Sequence, residues 1–155
     1  MVASRAIERI LGVLTAAALG VDAGVHFANA GSYESVTTSV VSQATLFRAQ
    51  AAAAAVIAVV LLVRPRLVAW VIAVIVAAAA LGAVLLYTNV NVGTLGPIPN
   101  MYEPTWALPG KEASAVAEGV AVLLALAGTA LSLWHRAADR ATAAAAQLSS
   151  PRPAA

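Results

Sequence analysis

The sequence contains no cysteine and few charged residues, and each shortage excludes a class of protein. The absence of cysteine among 155 residues excludes disulfide bonds, thiolate metal ligands and thiol catalysis. Charged residues make up 10% of the chain, whereas soluble domains carry about 25%. The hydrophobic share is 61% and the mean hydropathy is +0.87. Too few polar side chains remain to cover a water-soluble surface, so the composition predicts a membrane protein.

Motifs for nucleic-acid binding and for common catalytic chemistry are also missing. The net charge is +2 and the basic residues form no dense patch, so we expect no nucleic-acid partner. The sequence has no glycine-rich phosphate loop, no nucleophile elbow and no pair of histidines on one helix. These absences favour a protein that is not an enzyme.

Four stretches are long and apolar enough to cross a bilayer as helices, which takes about 20 mostly apolar residues each. They are residues 7–28, 43–63, 67–88 and 112–134. Arg64-Pro65-Arg66 is the whole connection between the second and third stretches, and its proline ends one helix before the next begins. The predicted fold is all-α, a four-helix transmembrane bundle formed by residues 1–136. Residues 137–155 are expected to be a cytoplasmic tail, partly helical and then disordered from 149 onwards.

The distribution of arginine predicts the orientation of the bundle. Seven arginines fall on one side of it: Arg5, Arg9, Arg64, Arg66, Arg136, Arg140 and Arg152. Because basic residues mark the cytoplasmic face, both termini are expected in the cytoplasm and the connections at 29–42 and 89–111 outside. The abundance of alanine and of arginine over lysine indicates a GC-rich bacterial source, and hence a bacterial inner membrane. Aromatic residues near the helix ends are expected to form interfacial belts: Trp70 and Trp134 near the cytoplasmic ends, and Tyr87 and Trp106 near the outer ends.

The first span has a competing interpretation as a signal peptide cleaved near Ala30. Arg5, an apolar run and small residues at 28–30 fit that pattern. Against it, the run is long, Glu8 lies in its charged start and Asp22 interrupts it. We therefore favour a retained membrane helix.

Three charged residues stand inside the apolar spans, where an unpaired charge is costly. With a rise of about 1.5 Å per residue, Asp22 and Glu118 lie roughly 9 Å below the outer ends of their helices, and Arg48 roughly 7–8 Å. His26 follows Asp22 by one turn, so the two share a helix face. We expect the five-donor guanidinium of Arg48 to bridge Asp22, Glu118 or both.

Uncharged polar residues accompany this predicted centre. Those in the same outer half of the bundle, which could supply further hydrogen bonds, are Gln43, Thr45, Gln50 and Ser114. On the fourth span Ser114, Glu118, Thr129 and Ser132 fall along one stripe, which should face the interior of the bundle.

The charged centre has three interpretations. Its ion pairs can simply order the helices, as in a structural or assembly subunit of a membrane complex. It can instead be an outward-facing pocket for a small polar ligand, an ion or a lipid headgroup. Asp22, His26 and Glu118 also offer a nitrogen and two carboxylates, a ligand set for zinc, iron or copper(II) that would suit an intramembrane metal-dependent enzyme. We favour a non-enzymatic binding or accessory protein. Its expected partners are the lipid bilayer and either another membrane protein or a second copy of the chain.

Residues 95–112, LGPIPNMYEPTWALPGKE, differ sharply from the rest of the chain. Their four prolines restrict the backbone, which predicts an ordered external loop between the third and fourth helices. Met101 and Leu108 are too apolar to stand freely in water and should fold onto the mouth of the bundle. Tyr102, Glu103 and Trp106 are expected to cap the charged centre.

Three stretches carry a resemblance to a protein family: LGPIPNMYEPTW with the SAVAEG that follows at 114–119, DAGVHF at 22–27 and LFRAQAA at 46–52. In these stretches the chain resembles uncharacterised small four-span integral membrane proteins of high-GC Gram-positive bacteria, and more loosely DoxX-like four-helix membrane proteins. The resemblance covers the four spans and not the C-terminal tail. It implies a four-span inner-membrane protein and no particular activity.

Overall fold

A computed structural model describes residues 2–149, with side chains from 5 to 147. Within that range the secondary structure is helical and includes no strand. The helices are α1 (Val2–Ala30), α2 (Gln43–Val63), α3 (Leu67–Asn89) and α4 (Lys111–Ser149), with a short 3-10 turn at Gly31–Tyr33. All four helices are long and apolar enough to cross a membrane, which confirms the predicted all-α class with four candidate spanning helices.

Local sequence features explain where the helices begin and end. Ser42 caps α2, because its hydroxyl accepts a hydrogen bond of 3.1 Å from the backbone N–H of Thr45. Pro65 cannot donate a backbone hydrogen bond and disfavours helical geometry at Arg64, so α2 ends there and α3 starts after two more residues. Gly110 immediately precedes α4 with a φ of +78°.

The helices form a closed bundle in chain order. α1 packs along α2 and α4, α3 packs on α4, and α2 and α3 contact each other less extensively. We call the end of the bundle that carries residues 31–42 and 90–110 the loop end, and the opposite end, with residues 64–66, the hairpin end. A Cβ at Gly12 in the first half of α1 would lie 3.2 Å from Leu61 and 3.9 Å from Pro65, so the start of α1 lies at the hairpin end.

Alanine dominates the core and lets the helices approach closely. Residues such as Ala54, Ala73, Ala77 and Ala121 are completely buried in it. Trp70 is also completely buried, and a Cβ at Gly128 would lie 2.4 Å from its ring. The prediction of Trp70 as an interfacial residue is therefore wrong, because Gly128 on another helix leaves a slot that the indole fills. Tyr87 is likewise buried, with 8% exposed, whereas Trp134 is 70% exposed.

The polar stripe predicted for α4 does face the interior. Ser114, Glu118 and Ser132 are buried, and Thr129 is half-buried. At the hairpin end the Ser132 hydroxyl lies 2.9 Å from a Glu8 carboxylate oxygen and donates to it, which joins α4 to α1.

α4 continues well past the predicted span. Its 39 residues make a helix of roughly 58 Å, nearly twice the hydrocarbon thickness of a bilayer. Residues 136–147 are exposed along this extension. The disorder predicted from 149 onwards, and the side assigned to Arg152, concern positions outside the described residues except for Ser149 itself, which ends α4.

Candidate functional site

A cavity of about 440 Å³ lies at the loop end, between the helices and beneath residues 90–110. Most of its wall is apolar and includes Phe47 and Val84 from the helices and Met101 from the loop. Polar groups are concentrated in two places. His26, Gln50, Ser114 and Glu118 lie at the deep end, and Tyr33, Glu103 and Lys111 lie near the mouth. A largely apolar cavity of this size with a few convergent polar groups is typical of small-molecule sites.

Asp22 is the hub of the deep polar cluster and is completely buried. Its carboxylate lies 2.7 Å from His26 Nδ1 and accepts a hydrogen bond of 2.9 Å from Gln50 Nε2. The Ser114 hydroxyl lies 3.2 Å from the same carboxylate. α1, α2 and α4 therefore meet at one side chain.

The contacts of His26 fix the position of one imidazole proton. Nδ1 lies 2.7 Å from the Asp22 carboxylate and 3.1 Å from the Asp22 backbone carbonyl oxygen, and both of these are acceptors. With Asp22 ionised, Nδ1 is therefore the protonated nitrogen, and in a neutral ring Nε2 is left as the acceptor. Phe47 packs edge-on against the ring with centroids 5.0 Å apart, which holds its orientation.

Glu118 is the least satisfied member of the cluster. It is completely buried, and one oxygen, Oε1, lies 2.9 Å from the Ser114 hydroxyl. The other oxygen, Oε2, has no hydrogen-bond partner. Ser114 has a single hydroxyl proton, so it can donate to Asp22 or to Glu118 but not to both at once. A buried carboxyl group with an unpartnered oxygen is costly and marks a place where a donor or a cation would be stabilised.

The structure contradicts the prediction that Arg48 pairs with this centre. The Arg48 guanidinium binds the Glu34 carboxylate in the 31–42 connection, and the two side chains are 50% and 55% exposed. The reason is the direction in which each side chain leaves α2, because residues two positions apart in a helix point about 200° apart around its axis. Gln50 occupies the interior face, and Arg48 therefore points away from it. Among the described residues no arginine or lysine pairs with Asp22 or Glu118.

Of the uncharged polar residues predicted to support the centre, Gln50 and Ser114 bond it directly. Gln43 lines the cavity without contacting Asp22. The Thr45 hydroxyl is paired with Ser42 at the helix cap, 3.0 Å away. The sequence placed all of them in the outer half of the bundle, but only the fold selects which side chains converge.

The loop at 90–110 is tied to the bundle by polar contacts. The Asn29 amide donates to the carbonyl of Pro109 at 3.1 Å, and the Thr38 hydroxyl donates to the carbonyl of Pro97 at 2.8 Å. The backbone N–H of Glu103 donates to the carbonyl of Tyr87 at 2.9 Å. These contacts join the loop to α1, α3 and the 31–42 connection, so it covers the cavity as an ordered segment.

Lys111 holds the loop in its covering position. Its ammonium group donates to the backbone carbonyls of Glu103 at 2.6 Å and Thr105 at 2.8 Å. The same group lies 5.3 Å from the ring centre of Trp106. At the adjacent residue, Gly110, a Cβ would approach Val25 to 3.0 Å, so the loop meets α1 where a side chain would clash.

Of the three residues predicted to cap the centre, only Glu103 lines the cavity. Tyr102 and Trp106 are 38% and 36% exposed and lie outside the cavity wall. Met101 and Leu108 do fold onto the mouth, as expected from their apolar character.

Asp22, His26 and Glu118 also satisfy the simplest geometric requirement for binding a metal ion. Each offers one ligand atom, and these atoms lie within 4.8 Å of one another. A nitrogen with two carboxylate oxygens suits zinc or another divalent transition ion.

The fold and the cavity together define a multi-pass membrane protein with four candidate spanning helices and a polar site at the loop end. Comparison with models of protein families, with curated proteins and with solved structures finds no match to this chain.

Proposed function

We propose that this protein is a non-enzymatic binding protein of a bacterial inner membrane, which holds a small amphipathic cation in its cavity. The cationic head would contact Glu118, and the apolar body would lie along the wall formed by residues such as Phe47 and Met101. The observation that carries the proposal is the unpartnered Oε2 of Glu118, a completely buried carboxyl group beside a largely apolar cavity. Oε2 is covered by its neighbours in this structure, so the ligand's head would reach it after a rotation of the Glu118 side chain.

The balance of charge supports a cation rather than an anion. The groups at and around the cavity include three carboxyl groups, Asp22, Glu103 and Glu118, but only two basic groups, the Lys111 ammonium and the His26 imidazole, and the imidazole is already paired with Asp22. Two backbone carbonyls already bind that ammonium group. A ligand with an amine would supply the positive charge that Arg48 was expected to bring.

The proposed orientation opens the cavity to the outside of the cell. The arginines at 5, 9, 64, 66, 136 and 140 lie toward the hairpin end, which is the cytoplasmic end by the positive-inside rule. The loop end then faces outward. On this proposal the bound molecule comes from outside the cell or from the outer leaflet.

Three probes of equal size and different charge test the proposal: benzylammonium, benzyl alcohol and benzoate. Binding to the purified protein in nanodiscs would be measured by isothermal titration calorimetry, with empty nanodiscs as the background. We expect the cation to bind more tightly than the other two. Removing one partner of a buried charge pair costs about 2 kcal/mol or more, so Glu118→Gln should weaken cation binding by roughly 30-fold or more.

The matched control is Glu112→Gln, the same substitution at an exposed position in the first turn of α4. It should leave binding of benzylammonium unchanged. Equal binding of the three probes to the unmodified protein would contradict the proposal, as would equal losses in the two variants.

A metal site is the second candidate, because the ligand atoms of Asp22, His26 and Glu118 lie within 4.8 Å of one another. Purified protein incubated with zinc and then desalted would be assayed for bound metal by mass spectrometry. The metal-site hypothesis expects one ion per chain, lost in both Glu118→Gln and His26→Phe. If the cavity holds an amphipathic cation instead, the desalted protein retains no zinc and still binds benzylammonium.

Two further roles are separable from both candidates. A structural or assembly subunit would need the Asp22 cluster to order the helices, but would bind neither a cation nor a metal. An intramembrane enzyme would have to turn over its ligand, whereas the proposed binding protein releases it unchanged.

A further inference from the structure

A second recess lies on the bundle surface, between α2 and α3, and is separate from the cavity. These two helices are consecutive in the chain and joined by a tight hairpin, yet they contact each other less than the other neighbouring pairs do. The groove that results has a volume of about 620 Å³. Its walls are apolar side chains, among them Ala53, Val56 and Ile72, and Val56 is 64% exposed.

The groove has basic residues only at its hairpin end. Arg64 and Arg66 line it there, and both are exposed. Among the described side chains, neither guanidinium has an ion-pair or hydrogen-bond partner. Two unpaired guanidinium groups thus stand at one end of an apolar channel that contains no acidic residue.

The length of the groove matches half a bilayer. It runs along α2 from Ala52 to Arg64, which is roughly 18 Å at the helical rise. Half of the hydrocarbon core measures about 15 Å. A chain that fills the apolar part would therefore reach from the headgroup level to the middle of the membrane.

We propose that the groove between α2 and α3 binds one anionic phospholipid, with an acyl chain along its apolar walls and the phosphate between Arg64 and Arg66. The planar guanidinium fork matches phosphate oxygens in a bidentate manner. Basic pockets between membrane helices attract anionic lipid headgroups for the same reason. This site is independent of the cation-binding cavity, since the two share no lining residue.

Native mass spectrometry tests the proposal on the full chain, purified in mild detergent and mixed with equal amounts of phosphatidylglycerol and phosphatidylcholine. We expect one phosphatidylglycerol to be retained in clear preference to phosphatidylcholine. At about 1 kcal/mol for each basic residue near an anionic headgroup, Arg64→Gln with Arg66→Gln should weaken retention by roughly 10- to 30-fold. The matched control is Arg136→Gln with Arg140→Gln, which removes the same charge from exposed positions on α4.

A second variant separates binding in the groove from attraction to the surface. Ala53→Leu narrows the channel and keeps both arginines, at an exposed position where a larger apolar side chain is compatible with folding. It should also reduce retention of phosphatidylglycerol. If the double arginine variant fails to fold, retention of phosphatidylglycerol by Ala53→Leu still tests whether the lipid occupies the groove.

Several outcomes would overturn the proposal. One is equal retention of the two lipids by the unmodified protein, and another is unchanged retention in the double arginine variant. Unchanged retention in Ala53→Leu would show that the acyl chain does not occupy the groove. A lipid-free dimer that Ala53→Leu dissociates would assign the groove to a second copy of the chain.

Discussion

The hydrogen bond from Gln50 to Asp22 provides the sharpest test of how the charged centre is built. Asp22 is completely buried, and Gln50 Nε2 is its donor from α2 at 2.9 Å. A hydrogen bond to a charged group contributes about 1.5–3 kcal/mol, and a buried acceptor left without its donor loses most of that. Gln50→Leu should therefore lower the free energy of unfolding by about 1.5–3 kcal/mol.

Arg48→Gln should have a much smaller effect. The Arg48 and Glu34 side chains are 50% and 55% exposed, and pairs of that kind contribute about 0.2–1 kcal/mol. Gln43→Leu is the matched control, because Gln43 lies on the same helix and lines the cavity without bonding Asp22. It should cost less than Gln50→Leu.

The assay is equilibrium unfolding in mixed micelles with increasing dodecyl sulfate, followed by far-ultraviolet circular dichroism. We expect Gln50→Leu to be the most destabilising of the three variants. This expectation would be refuted if Arg48→Gln proved as costly as Gln50→Leu, because Arg48 would then be supporting the buried centre.

Three further predictions concern the core, the loop and the orientation. Gly128→Ala should destabilise the fold by about 1–3 kcal/mol, because the new Cβ would lie 2.4 Å from the buried Trp70 indole ring. A Cβ at Gly119 on the same helix meets no atom within 4 Å, so Gly119→Ala should be neutral or stabilising. Thermal unfolding compares the two variants, and equal losses of stability would contradict the packing described. Lys111→Met removes both hydrogen bonds from the ammonium group to the loop, so amide hydrogen exchange at 103–108 should accelerate, and unchanged exchange would show that Lys111 does not hold the loop. Because the chain has no cysteine, an impermeant maleimide applied to intact cells should label Thr94→Cys and not Ala138→Cys, and the reverse pattern would invert the proposed topology.

Composition and hydropathy were sufficient to predict the helices. Runs such as 67–88 are apolar beyond what any soluble helix requires, and Pro65 marks the turn before them. The contact between Asp22 and His26 was also predictable, because residues four apart on one helix always share a face. These features depend on local sequence alone.

Contacts between helices depend on how each helix is rotated about its own axis. The position of a residue along the sequence predicts its depth in the membrane but not that rotation. Arg48 and Glu118 were placed at similar depths, but Arg48 faces away from the interior and binds Glu34 instead. Gln50, two residues further on, is the residue that reaches Asp22. Gln50 lies on the same face of α2 as the buried Ala54 and Ile57, but the residues that follow Gln50 are uniformly apolar and gave no sequence signal of which face is inside.

Trp70 shows the same limit for packing. Tryptophan near a helix end is common at membrane interfaces, so an interfacial position was the natural expectation. Its burial depends on Gly128, which is 58 residues away in the sequence and has no side chain to fill the space. Hydropathy does not report the slot at Gly128, because it scores each residue separately.

Whether Glu118 receives a cation can be measured directly at its own carboxyl carbon. Solid-state nuclear magnetic resonance of the protein labelled with carbon-13 glutamate would resolve this carbon, and Glu118→Gln would identify its signal. We expect benzylammonium to shift the Glu118 signal, and benzyl alcohol and benzoate to leave it in place. A Glu118 signal unmoved by a saturating concentration of benzylammonium would contradict the proposed binding site.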